Sequence, residues 1–124
     1  YPVLHLDLNA EKYDSKERLE KMLEFHLTRW ETQYGVDKGT MTFSGRFATI
    51  IQQAYEQNGR RVVVLVDEYD KPMLQSFDNP ELQDDYRKTI DSLLYRAQKY
   101  RCLLAVCLYH RSDKICANGD IQYA

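Results

Sequence analysis

Two adjacent carboxylates, Asp67 and Glu68, close an unbroken run of valine and leucine from Val62 to Val66, and no other residues in the chain are as well placed to do chemistry. A run of β-branched and leucine side chains with no polar interruption suits a strand covered on both faces, as in a parallel sheet. Such sheets gather their ligands at the carboxyl ends of their strands. There the first acid can hold Mg²⁺ through hard carboxylate oxygens, while the second can orient or deprotonate a water that attacks a phosphoryl group. On the residues alone a second reading stays open. A buried strand also ends in acids where the chain emerges into water and begins a turn.

Other residues could join these acids. Asp7 lies at the end of an apolar pattern beginning at Tyr1 and could complete an acidic metal cluster with Asp67 and Glu68, as an Mg²⁺-dependent phosphoesterase would need. The simpler expectation is that Asp7 accepts a hydrogen bond from a backbone amide in the next turn. Lys71 could approach a phosphate, but is expected as a surface lysine paired with Asp70. His5 and His26 fall within apolar patterns with no nucleophile motif nearby, so neither is given a role. Trp30 and Tyr34 read as core or partner surface before a stacking platform. Cys102, Cys107 and Cys116 match neither a zinc site nor a disulfide framework and are read as free thiols.

The elements that must position these groups follow from periodicity. Tyr1–Leu8 alternates apolar and polar residues and predicts a strand, with Pro2 tolerable only at its start. From Ser15 to Tyr34, Leu19, Met22, Leu23, Leu27 and Trp30 recur at helical spacing, with Asp14 or Ser15 as cap and Gly35 beyond the end. Phe43, Phe47, Ile50, Ile51 and Ala54 predict a second helix from about Thr42 to Gln57, stopped by Asn58-Gly59. The stretch after Asp67 is rich in turn formers. Asp78 or Asn79 with Pro80 then opens a third helix through Leu82, Tyr86, Ile90, Leu93, Leu94 and Ala97, and Arg101–Tyr109 reads as a third strand. The order β-αα-β-α-β favours a three-layer α/β arrangement with a parallel sheet and right-handed crossovers.

Composition narrows the function classes. The 124 residues are 44% hydrophobic and 29% charged, ordinary for one globular domain with a modest core. A net charge of −2 with both signs interspersed gives no overall electrostatic footprint for nucleic acid or an anionic membrane. No stretch approaches the roughly 20 apolar residues that span a bilayer, and the start lacks the basic, apolar, small-residue order of a signal peptide, so a cytoplasmic location is expected. No G-x-x-x-x-G-K-[ST] loop occurs in these residues, and the glycines are scattered. The start at Tyr1 inside a strand pattern suggests a piece of something longer.

The segments YPVLHLDLNAEKYDSKERLE, FSGRFATIIQQAYEQNG and VVVLVDEYDKPML closely resemble a bacterial family of AAA-ATPase-like proteins, P-loop nucleotidases, and VDEYDKP is the most specific of them. The resemblance implies ATP and Mg²⁺ as cofactors of a longer parent protein. In its terms VVVLVDE is a Walker B strand, Asp67 binds the nucleotide's Mg²⁺ and Glu68 is the catalytic acid, while the phosphate-binding loop and its lysine lie upstream of Tyr1. The motifs carry the likeness to about Thr89, giving an expected division into an ATPase-like fragment at residues 1–89 and a tail at 90–124. Read one base out of register, codons for Ser92–Ile115 can encode the family's continuation, with TGVTKF falling on His110–Ile115. A one-base frameshift between about Lys88 and Ser92 is therefore expected. Two other classes remain beside the ATPase fragment: a non-catalytic α/β interaction module, and the phosphoesterase built on Asp7, Asp67 and Glu68.

Overall fold

Leu4, Leu6 and Leu8 alternate with more polar neighbours, and all three are buried in the folded chain, so the period of two seen in the sequence is the period of a half-covered strand. The computed structural model describes residues 1–9, 12–100, 102–107 and 116–119. Its elements are β1 (Val3–Asp7), α1 (Lys16–Tyr34), α2 (Phe43–Asn58), β2 (Val63–Asp67), α3 (Lys71–Gln75), α4 (Pro80–Lys99), β3 (Leu103–Cys107) and β4 (Cys116–Gly119). The sheet order is β1-β2-β3-β4, with β1, β2 and β3 parallel and β4 antiparallel to β3. The chain is thus an α/β protein with a parallel sheet, as the order of its sequence patterns indicates.

Helix ends follow the local chemistry. Thr42 caps α2 by accepting a hydrogen bond from the Gly45 amide at 3.2 Å, and Asn79 caps α4 by accepting from the Leu82 amide at the same distance, with Pro80 as the first helical residue. Gly35 and Gly59 end α1 and α2 in the left-handed conformation, φ 68° and 66°, where a side chain would be strained. Ser15 precedes α1 but its side chain makes no capping bond. The segment after Asp67 holds the short α3 where a turn is expected. Pro72, in its first turn, is the sequence signal for that helix.

One core joins these parts. Leu4, Leu6, Val64, Val66, Leu104 and Val106 face α1, α2 and α4, meeting Leu19, Leu23, Leu27, Phe47, Ile50, Ile51, Ile90 and Leu94 in a single buried cluster. A slip of one residue in β2 would carry Val64 and Val66 to the other face, so this pattern fixes the register Val64 to Leu4 and Leu104. The alternate residues are less covered: Val63 and Leu65 are only half-buried, and Val3 is 52% exposed. The Val62–Val66 run is therefore not covered equally on both faces among the described residues. Its second face is partly open because the helices gather on the first. α4 passes unbroken through Thr89, and Ile90 is fully buried in the core.

Candidate functional site

β2 delivers Asp67 to its carboxyl end, and the parallel register places Asp7 of β1 directly beside it. The Leu8 amide donates to the Asp67 carbonyl at 3.0 Å, so the two strand ends are tied where they leave the sheet. Asp7 does what the simpler reading expects: its Oδ1 accepts the Asn9 amide at 2.9 Å in an Asx turn. His26, on α1, lies with Nε2 3.2 Å from the Asp7 carbonyl oxygen, and burial pushes its pKa below the usual range. His5 Nε2 stands 3.9 Å from Asp67 Oδ2. Both histidines thus border the strand ends.

Glu68 departs most from ordinary backbone geometry. Its φ is +57°, in the left-handed region that glycine favours, at a cost on the order of 1–3 kcal/mol for other residues. Such a conformation persists only where its surroundings over-determine it. Here the Tyr69 amide donates to the Cys107 carbonyl at 3.1 Å, the Tyr69 hydroxyl donates to Asp91 Oδ1 at 3.0 Å, and the Lys71 amide donates to the Glu68 carbonyl at 3.1 Å. The turn is held to β3, to α4 and to α3 at once. Its side chain is 9% exposed and lies 4.0 Å from the Lys71 ammonium, itself 10% exposed.

Lys71 is not the surface residue expected from sequence. It is buried at the start of α3, and its ammonium donates to Asn9 Oδ1 as well as facing Glu68. A chain of polar contacts therefore runs from β1 through Asn9 and Lys71 to Glu68. Beside it Tyr13 is buried; its hydroxyl donates to the Leu8 carbonyl at 2.7 Å and its backbone amide donates to Gln75 Oε1 at 2.9 Å. Burial, with Tyr86, Asp7 and Glu68 close by, drives the Tyr13 phenol pKa far up, which keeps it neutral. Sequence reasoning missed Tyr13, Asn9 and the buried Lys71. Only the Lys-Pro step before an amphipathic pair hinted that Lys71 opens a helix.

The donor set admits one kind of metal site more readily than another. Among the described residues no group of three His, Cys, Asp or Glu side chains is placed to hold a metal ion, which the phosphoesterase reading requires. Mg²⁺ beside a nucleotide commonly takes one or two protein carboxylates, with phosphate oxygens and waters completing the shell. Asp67 at the end of β2 fits that smaller role. Elsewhere, Cys107 is disulfide-bonded, which corrects the expectation of three free thiols, while Cys102 is free and buried, its thiol pKa pushed up to about 11 by burial. The TGVTKF reading of His110–Ile115 lies outside the described residues.

Sheet and site together define an α/β domain with paired acids at the carboxyl end of a central parallel strand. The chain belongs to the AAA-ATPase-like family, described as predicted AAA-ATPases, whose model matches residues 1–110. That span runs past Thr89, further than the sequence motifs carry the likeness. A curated relative, the uncharacterized protein in the vnfD 5′ region of Azotobacter chroococcum mcd 1, is 34% identical over 93 residues, covering 75% of this chain and 18% of that protein. The chain thus spans about a fifth of its relative's length. No solved structure matches it. No helix among the described residues is long and apolar enough to cross a membrane.

Proposed function

We propose that this chain is the central part of an Mg²⁺-dependent, cytoplasmic ATPase, in which Asp67 holds the nucleotide's Mg²⁺ and Glu68 orients and deprotonates the attacking water. The observation that carries the reading is the backbone of Glu68. A buried glutamate held in a strained left-handed turn, directly after a strand-end aspartate and against a buried lysine, is costly to maintain for structure alone. Mg²⁺, when bound, would neutralise charge developing on the transferred phosphoryl group. Lys71 and Asn9 hold Glu68 in place from the β1 side. Membership of the family supports the nucleotide, and the place of Asp67 at the carboxyl end of a central parallel strand supports a metal role for it.

Positioning and charge stabilisation dominate phosphoryl transfer, so these 124 residues alone, without a phosphate-cradling loop, are expected to lack ATP turnover. Residues 90–124 are proposed to be a frameshifted tail, of which residues 90–99 continue α4 and Leu103–Cys107 forms β3. Calorimetric titration tests the functional reading. Mg²⁺ alone should give no binding heat with the chain, and Mg·ATP should bind once a P-loop segment is joined upstream of Tyr1. Tight Mg²⁺ binding without nucleotide would instead favour the phosphoesterase, and no nucleotide binding by the joined protein would leave a non-catalytic module.

A further inference from the structure

A large cavity lined by described residues does not include Glu68. It is an open groove of about 1050 Å³ between β1 and α1. One wall is an edge of the sheet. β1 stands at the end of the strand order and pairs only with β2 among the described residues. The Val63 amide donates to the Pro2 carbonyl and the Leu8 amide to the Asp67 carbonyl, so the even-numbered groups of β1 serve β2. The backbone groups of Val3 and His5 consequently point outward along the edge, and both side chains line the groove. An uncovered strand edge is a template for another strand.

The other wall is basic. Arg18, Lys21 and Arg29 line it from α1, and none of the three is in an ion pair among the described residues. The charges of α1 are segregated. Glu24 and Glu31 turn to the far side, where Arg46 of α2 binds both and Lys38 also binds Glu24. Among the described residues Asp7 is the sole carboxylate lining the groove, and its Oδ1 is engaged by the Asn9 amide. Phe25, 57% exposed, adds an apolar patch with the Arg29 guanidinium 5.3 Å above its ring. Strand edge and cationic wall run side by side, with an aromatic surface between the cations.

From this juxtaposition we infer that the groove binds an extended acidic segment of a partner polypeptide, which adds as a strand to the free edge of β1 and sets its carboxylates against Arg18, Lys21 and Arg29. Main-chain hydrogen bonds at Val3 and His5 supply affinity, and the cations select the charge. A nucleic acid strand would use the cations but leave the strand edge unpaired. A second copy of the chain would use the edge but bring no complementary charge.

Fluorescence anisotropy with the full chain and a labelled peptide of alternating Glu and Val tests this, with a Lys-Val peptide and an oligo-dT strand as controls. The acidic peptide should bind and the controls should not. Reversing Arg18, Lys21 and Arg29 to Glu, all at groove-lining positions of α1, should weaken binding roughly tenfold or more. His5→Pro, which removes one outward amide from an edge strand that tolerates proline there, should weaken it while circular dichroism stays unchanged. Hydrogen exchange at the Val3 and His5 amides should slow when the acidic peptide is bound. Binding of oligo-dT in preference to the peptide, peptide binding that leaves those amides unprotected, or concentration-dependent self-pairing abolished by His5→Pro would each overturn the inference.

Discussion

Arg46→Met should remove a large share of the protein's stability, because Arg46 joins the first two helices through a nearly dry ion pair. Its guanidinium donates twice to Glu31, Nε to Oε2 at 2.9 Å and Nη2 to Oε1 at 2.7 Å, and both side chains are 6% exposed. The bidentate geometry and the burial reinforce each other, and Glu31 with Glu24 drives the Arg46 pKa upward. Removing one partner of a buried pair leaves an uncompensated charge, at about 3–5 kcal/mol. The second partner, Glu24, is 42% exposed and adds only about 0.2–1 kcal/mol. Set against a typical domain stability of roughly 5–15 kcal/mol, the substitution should lower the urea midpoint severely. The decisive comparison is Arg46→Met with Glu31→Leu. Replacing both charges with apolar groups removes the stranded carboxylate, so the double variant should be more stable than Arg46→Met alone by about 2 kcal/mol. Urea unfolding followed by circular dichroism measures all three. A single-variant cost under about 1 kcal/mol, or a double variant at the sum of the singles, would refute the reasoning.

Three further outcomes follow from individual residues. Burial lowers the His26 pKa below its usual 6.5, so the folded state resists the proton that the unfolded chain accepts. Stability is therefore full above about pH 6.5 and is lost as pH falls below it, and His26→Gln, which keeps a donor for the Asp7 carbonyl, should flatten that loss in thermal melts between about pH 7 and 5. Glu24, held below its usual 4.5 by Arg46, acts only at lower pH, which keeps the two windows apart. Thr42→Ala should cost about 1 kcal/mol by deleting the α2 cap, whereas Ser15→Ala, whose hydroxyl makes no capping bond, should stay within about 0.5 kcal/mol in the same urea assay. The coding DNA should carry a second reading frame that continues as TGVTKF across the codons of His110–Ile115. Absence of that frame would remove the frameshift.

Much of the fold is legible from local rules because those rules are local. Gly35, Gly59, Thr42 and Asn79-Pro80 mark helix ends where the structure places them, and the alternation of Leu4, Leu6 and Leu8 identifies β1 and its buried face. What escapes the sequence depends on partners far away in the chain. Lys71 lies in a polar stretch and reads as exposed, yet it is buried, and Asn9, 62 residues earlier, accepts a hydrogen bond from its ammonium. The Val62–Val66 run reads as covered on both faces, but composition cannot say on which side α1, α2 and α4 will gather. Likewise Arg46 sits one helical turn from Phe43 in a pattern that favours exposure, and only the folded pair of helices brings it to Glu31. For the site, the pairing of Asp67 with Glu68 is visible in the sequence. The left-handed turn that aims Glu68 is not, since nothing in Val-Asp-Glu-Tyr demands a positive φ.

The central claim is that Glu68 acts on the attacking water. It is tested most directly by joining a P-loop segment upstream of Tyr1 and comparing ATP turnover of that protein with its Glu68→Gln variant, while nucleotide affinity is followed in parallel. Glutamine preserves size and burial but cannot take the proton, so turnover should fall roughly 100-fold or more with Mg·ATP binding retained. Turnover undiminished by Glu68→Gln would contradict the assignment of Glu68 as the group that takes the water's proton.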